Sequence, residues 1–111
     1  MPKYFFSGSY TAQAWAHMVD SPEDRSKQAR EAVEAVGGKM ESFYWAFGPD
    51  DFVLIADLPD DSAAGAVSVG VSSGGAVTGA KTIKLITMDE GRAMLEKAQQ
   101  VRKRYHPVGA R

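Results

Sequence analysis

Residues Gly37 to Asp61 read GGKMESFYWAFGPDDFVLIADLPDD, two apolar runs separated by a short break that holds glycine, proline and aspartate. The runs alternate with a period of two, as half-buried strands do, and the break has the composition of a turn, so the segment reads as a β-hairpin. Pro49 requires a negative φ, which fits poorly with the primed two-residue turns of tight hairpins. The expected connection is therefore a four-residue loop, Gly48 to Asp51. That register sets Phe47 opposite Phe52, Trp45 opposite Leu54 and Phe43 opposite Ala56 on one bulky apolar face. The reverse face carries Ser42, Tyr44 and Ala46 opposite Asp57, Ile55 and Val53, with Asp51 at its rim. Both faces need cover.

Working towards the N-terminus, Lys3 to Ser9 is short and aromatic and suits a strand, and Tyr10-Thr11 opens a helical stretch with Trp15 and Met18. Ser21-Pro22-Glu23-Asp24 reads as a second helix start, with a hydroxyl cap, proline in the first turn and acids at the positive end of the dipole. Ala29, Ala32, Val33 and Val36 then recur at helical spacing on one small apolar face, and Gly37-Gly38 ends the helix.

Towards the C-terminus, Val67, Val69 and Val71 alternate like a strand, while Ala63, Ala66, Val67 and Gly70 fit a helix. Leu58-Pro59-Asp60-Asp61-Ser62 is a strong helix start, and a strand here would leave no crossover between its neighbours, so a helix is expected. Thr82 to Thr87 is the expected last strand. Thr87-Met88-Asp89-Glu90 is a capping box that opens a terminal helix with Met94, Ala98, Val101 and Tyr105 along one stripe. The order is strand, helix, strand, strand, helix, strand, helix: an α+β chain forming one domain over 1–111, with a core of about 3–90 and a terminal helix and tail over 88–111.

A chain of 111 residues supports one hydrophobic core. With 13 basic and 14 acidic side chains, charge points to neither nucleic acid nor an anionic membrane as partner. The absence of cysteine removes disulfides, thiolate nucleophiles and thiolate-held metals. The N-terminus has no secretion-signal pattern and no run approaches a membrane span, so a cytoplasmic location is expected.

Small-residue helices suit the bulky hairpin face, because alanine and valine let large strand side chains interdigitate. On the reverse face Val53, Ile55, Tyr44 and their neighbours would form an apolar patch unusual for a monomer. A second copy laying its sheet against this one is the expected solution, giving a homodimer or higher homo-oligomer. The competing monomeric reading folds the terminal helix over that face.

Tyr10-Thr11, Ser21 to Arg25, Gly37-Gly38-Lys39, Phe43-Tyr44, Ala46-Phe47-Gly48 and Pro59-Asp60-Asp61 together resemble the small prokaryotic GYD domain family over most of residues 3 to 90. The family's Gly-x-Tyr-Asp motif falls on Gly48, Asp50 and Asp51, with aspartate at position 50 where the family has tyrosine. The resemblance implies a ferredoxin-like βαββαβ fold with a four-stranded antiparallel sheet, of the kind that pairs into dimeric α+β barrels. It implies no established activity.

Ser42, Tyr44, Asp51 and Asp57 are the candidate ligand-binding residues, a polar lining in a mostly apolar cavity between paired sheets that would hold a small apolar or aromatic molecule. Asp57 and Asp51 equally suit structural roles at the two ends of the hairpin. Tyr44 and His17 are the catalytic candidates, as proton carriers. No acid or second histidine stands four residues from His17, so neither metal nor cofactor is expected. Gly74 to Thr82 differs from a phosphate loop by the extra Ala80 and by the strand that follows it. The basic terminal residues Lys97, Arg102, Lys103, Arg104 and Arg111 read as a solvated helix face. The expected function is a homo-oligomer holding a small molecule; the alternatives are a cofactor-independent oxygenase or isomerase and a purely structural or interaction protein.

Overall fold

In the computed structural model, which describes residues 1–109, the chain runs β1 (Lys3–Tyr10), α1 (Ala12–Asp20), α2 (Ser26–Ala35), β2 (Lys39–Trp45), β3 (Phe52–Asp57), α3 (Asp61–Ser73), β4 (Val77–Leu85) and α4 (Met88–Arg104). The strands form one antiparallel sheet in the order β2-β3-β1-β4. This is the ferredoxin-like order: the hairpin β2–β3 is inserted so that β3 pairs with β1, and α3 crosses from β3 to β4 on the far side of β1.

Period-two alternation places one side of every strand in the core. Phe52, Leu54 and Ala56 of β3 are buried while Val53, Ile55 and Asp57 between them are only partly so, and Tyr4 and Phe6 lie on the same side of β1. Val33 of α2 with Ala64 and Val67 of α3 close over this face. The small residues expected on the helices are the ones that pack against the aromatic strand residues. α2 ends in a Schellman motif: Gly37 takes φ +84° and donates to the Glu34 carbonyl, and Gly38 N–H reaches the Val33 carbonyl at 3.0 Å.

The expected helix at residues 61–73 is present, and the Asp60 carboxylate caps it by accepting from Ala63 N–H at 2.8 Å. Three other expectations are corrected. The hairpin register is displaced by two residues: Trp45 faces Phe52, Phe43 faces Leu54, and a bulge at Glu41 brings Met40 opposite Ala56. The cause is a longer turn, 46–51, closed by Ala46 N–H donating to the Asp51 carbonyl at 2.9 Å and held to β1 by Asp51 N–H donating to the Gly8 carbonyl at 2.8 Å. A shift of two preserves the faces. The second helix starts at Ser26 rather than at Ser21, the expected hydroxyl cap, which instead ends α1; Asp24 Oδ1 accepts from the Ser26 N–H and hydroxyl in an Asx turn just before the helix. β4 begins at Val77, five residues before the expected strand, because β1 supplies pairing partners along its whole length and Gly79, at φ +63°, absorbs a bulge opposite Gly8.

α4 has its expected capping box, with Thr87 Oγ1 accepting from Glu90 N–H and Glu90 accepting from Thr87 N–H. It does not fold over the sheet. None of its residues is buried, and the protein extends 64 Å along its longest axis. Among the described residues no helix is long and apolar enough to cross a membrane.

Candidate functional site

The side of the sheet opposite the helices is open. Phe5 of β1, Val53 and Ile55 of β3 and Leu85 of β4 are partly buried there by one another, while Tyr44 of β2 is 65% exposed and Ile83 of β4 48% exposed. This apolar centre is flanked by two polar clusters. At the end near the hairpin turn, the Asp50 carboxylate accepts from the Ser7 hydroxyl at 2.9 Å and from the Lys81 ammonium at 3.0 Å. Ser7 and Lys81 are register partners on β1 and β4, so the turn reaches back over β3 to join them. Lys81 and then Ser7 hold the Asp50 carboxyl below the ordinary carboxylate range. At the other end Lys3 Nζ donates to Asp57 and to Glu41, both at 2.8 Å, and these two acids raise its pKa.

The sequence-derived residues distribute as follows. Ser42 and Tyr44 lie on the open face, opposite Ile55 and Val53 respectively. Asp57 is also on this side but is paired with Lys3. Asp51 stands at the opposite end of β3, about 20 Å away along a six-residue extended run, and its Oδ2 accepts from Tyr10 N–H at 2.9 Å. The four therefore do not converge. His17 is exposed on α1, in a depression shared with Tyr10, Met18, Glu23 and Arg25, to which Tyr44 does not contribute.

A second concavity lies on the helix side of the sheet, between α2 and α3. It has a volume of about 120 Å³ and is walled by Phe6, Tyr10, Phe43, Phe52 and Val71, with Arg25 and Gln28 among its lining residues. Gly8 makes room for part of this wall: a Cβ there would come within 2.9 Å of the Phe52 ring. An aromatic cluster borders it. Phe43 and Phe52 stack at 5.9 Å between ring centroids, Tyr10 meets Phe52 at 5.3 Å and Trp15 at 5.1 Å, and Trp15 lies 5.2 Å from Trp45. Trp45 Nε1 donates to the Tyr10 hydroxyl at 3.1 Å; burial raises the Tyr10 pKa against that bond.

Sequence reasoning missed the Ser7–Asp50–Lys81 cluster and the helix-side cavity. Asp50 stood out in the sequence as a departure from the family motif, but starting β4 at Thr82 left Lys81 outside the strand. The cavity depends on packing between two helices, which no local pattern records.

Comparison with known proteins supports the fold and the family. A solved structure described as MtbAldR (Rv2779c) superposes with a TM-score of 0.56 at 15% identity, over 78% of this chain and 53% of that one. This chain thus spans about half the length of that protein. TTHA0845 from Thermus thermophilus superposes with a TM-score of 0.51 at 19% identity, over 78% of this chain and 95% of that one. At such identities the likeness shows the fold alone. No curated protein matches the sequence. The family model described as GYD domain matches residues 4–95, and the chain accordingly belongs to the GYD domain family.

Proposed function

We propose that the protein is a self-associating binder of a small apolar or aromatic molecule, with a second copy covering the open face of the sheet and a chamber enclosed between them. One observation carries this reading: the apolar centre of that face, from Tyr44 through Val53, Ile55 and Phe5 to Ile83, is covered by no element of its own chain among the described residues. Contiguous exposed apolar surface of this kind marks an interaction or ligand site. The chamber floor would be apolar, with Ser42, the Tyr44 hydroxyl and the Ser7–Asp50–Lys81 cluster as the polar groups that orient a ligand.

Native mass spectrometry of gently purified protein tests this. The expected result is a multiple of the 12.0 kDa chain mass that retains a non-covalent small molecule, released by Tyr44→Glu. A chain that stays single at high concentration and takes up no hydrophobic probe would overturn the reading.

A second placement of the ligand is favoured by one observation, that the helix-side cavity already exists within a single protomer. Its volume is of the order that holds one six-membered aromatic ring, since an apolar cavity of about 150 Å³ binds benzene. Ala32→Leu fills this cavity and leaves the open face untouched. Loss of the retained molecule in that variant, with retention in Tyr44→Glu, places the ligand on the helix side.

A further inference from the structure

Among the described residues α4 is a complete helix with nothing to pack on. Its N-terminus is closed by a capping box, Asp89 and Glu90 stand in its first turn, and Arg102, Lys103 and Arg104 stand in its last, so both ends complement the helix dipole. Yet it buries no residue, and Met94, Leu95, Val101 and Tyr105 are between 55% and 70% exposed. In proteins most of a helix's stability comes from packing an amphipathic face, which this 17-residue helix does not do among the described residues. An apolar stripe repeated at 94, 98, 101 and 105 is the pattern of a helix that docks on something.

Resting on the self-association proposed above, we infer that α4 is an exchanged arm: the α4 stripe of one copy docks on the open sheet face of a second copy and forms the roof of the chamber. Three observations select this occupant. First, net charge is opposite. Residues 1–87 hold seven basic and eleven acidic side chains and residues 88–111 six basic and three acidic, which favours encounter of arm and body. The acids on the open face itself are already paired with Lys3 and Lys81. Second, the dimensions agree. Seventeen helical residues span about 25 Å, and four strands are about 19 Å across, so one arm crosses one face. Third, pairing of α4 with its counterpart is disfavoured. In a heptad built on that stripe the flanking positions are Leu95, Lys97, Arg102 and Arg104, which would set like charges against each other across a helix pair.

The experiment uses the full chain. Met94→Glu combined with Val101→Glu alters only residues that pack on nothing in their own protomer, so the body folds as before. The expected result in sedimentation analysis is a dissociation constant at least tenfold higher than that of the native chain; an unchanged constant overturns the arm and leaves the self-association reading standing. A native chain that stays single overturns both. Since the chain has no cysteine of its own, cross-linking gives a second readout. Chains carrying Val101→Cys, mixed with chains carrying Ile83→Cys and oxidised, are expected to yield the mixed disulfide. Only Val101→Cys homodimers, or no disulfide, would overturn the arm.

Discussion

At the scale of single residues, two positions concentrate the constraints. Ser7 is 3% exposed, and its hydroxyl is satisfied by Asp50, which also receives Lys81. Removing the acceptor with Asp50→Ala leaves a buried hydroxyl without its partner, so the urea midpoint is expected to fall, and Ser7→Ala in the same chain should recover part of the loss. The pH dependence has a definite sign. The Asp50 pKa is held below its ordinary 3.8, so between the folded and unfolded values the unfolded chain binds more protons. The contribution is complete above 3.8 and disappears as pH falls through the folded value. Urea titrations at decreasing pH should therefore show a shallower loss in Asp50→Asn than in the native chain. Gly38 is the other position. A methyl group there would meet the Asp57 carbonyl at 2.6 Å as well as the Leu58 and Val33 side chains, so Gly38→Ala is expected to cost about 1–3 kcal/mol by overpacking. Part of the candidate site was legible at this scale. Ser42 and Tyr44 share the face expected of them because alternation survives any even shift of register, whereas the sequence does not reveal that a backbone N–H engages Asp51 and that Lys3 pairs with Asp57.

At the scale of elements, what the sequence revealed was whatever local chemistry decides. The Asp60 cap, the Thr87 capping box and the Gly37-Gly38 stop all act within a few residues of themselves, and all three are present. The failures occurred where a distant partner decides. The start of β4 is set by the length of β1, and the hairpin register by hydrogen bonds from the turn to Gly8. Neither partner can be read from the strand itself. The capping box makes a quantitative case, because α4 has little else to stabilise it in a single chain. Thr87→Ala is expected to cost about 1 kcal/mol of helix stability. In a chain held dilute enough to be single, far-UV circular dichroism should lose a helical contribution of up to 17 residues. In the proposed assembly, with α4 docked, the same substitution should leave the spectrum nearly unchanged.

At the scale of the whole molecule, the shape poses a problem that the proposed assembly would solve. A compact domain of this length has a radius of gyration of about 13 Å, and this protomer has 18.3 Å. The excess comes from α4 standing away from a body whose sheet is covered on one side only. If a second copy covers the apolar face and the apolar stripe, as proposed, folding of such a chain is coupled to association. Mass action then makes thermal stability depend on concentration. Above the dissociation constant of a dimer the free chain rises only as the square root of the total. Each hundredfold increase in total concentration thus adds about 1.4 kcal/mol per chain if association requires the folded state, and about 1 kcal/mol moves the midpoint of a domain near this size by about 4–8 °C. Melting curves taken at increasing protein concentration are therefore expected to rise by several degrees per hundredfold. The Met94→Glu, Val101→Glu chain should begin the same rise only at concentrations at least tenfold higher, because its body is the same and only the coupling has been weakened. A native midpoint that is independent of concentration would mean that the single chain tolerates its open face in water.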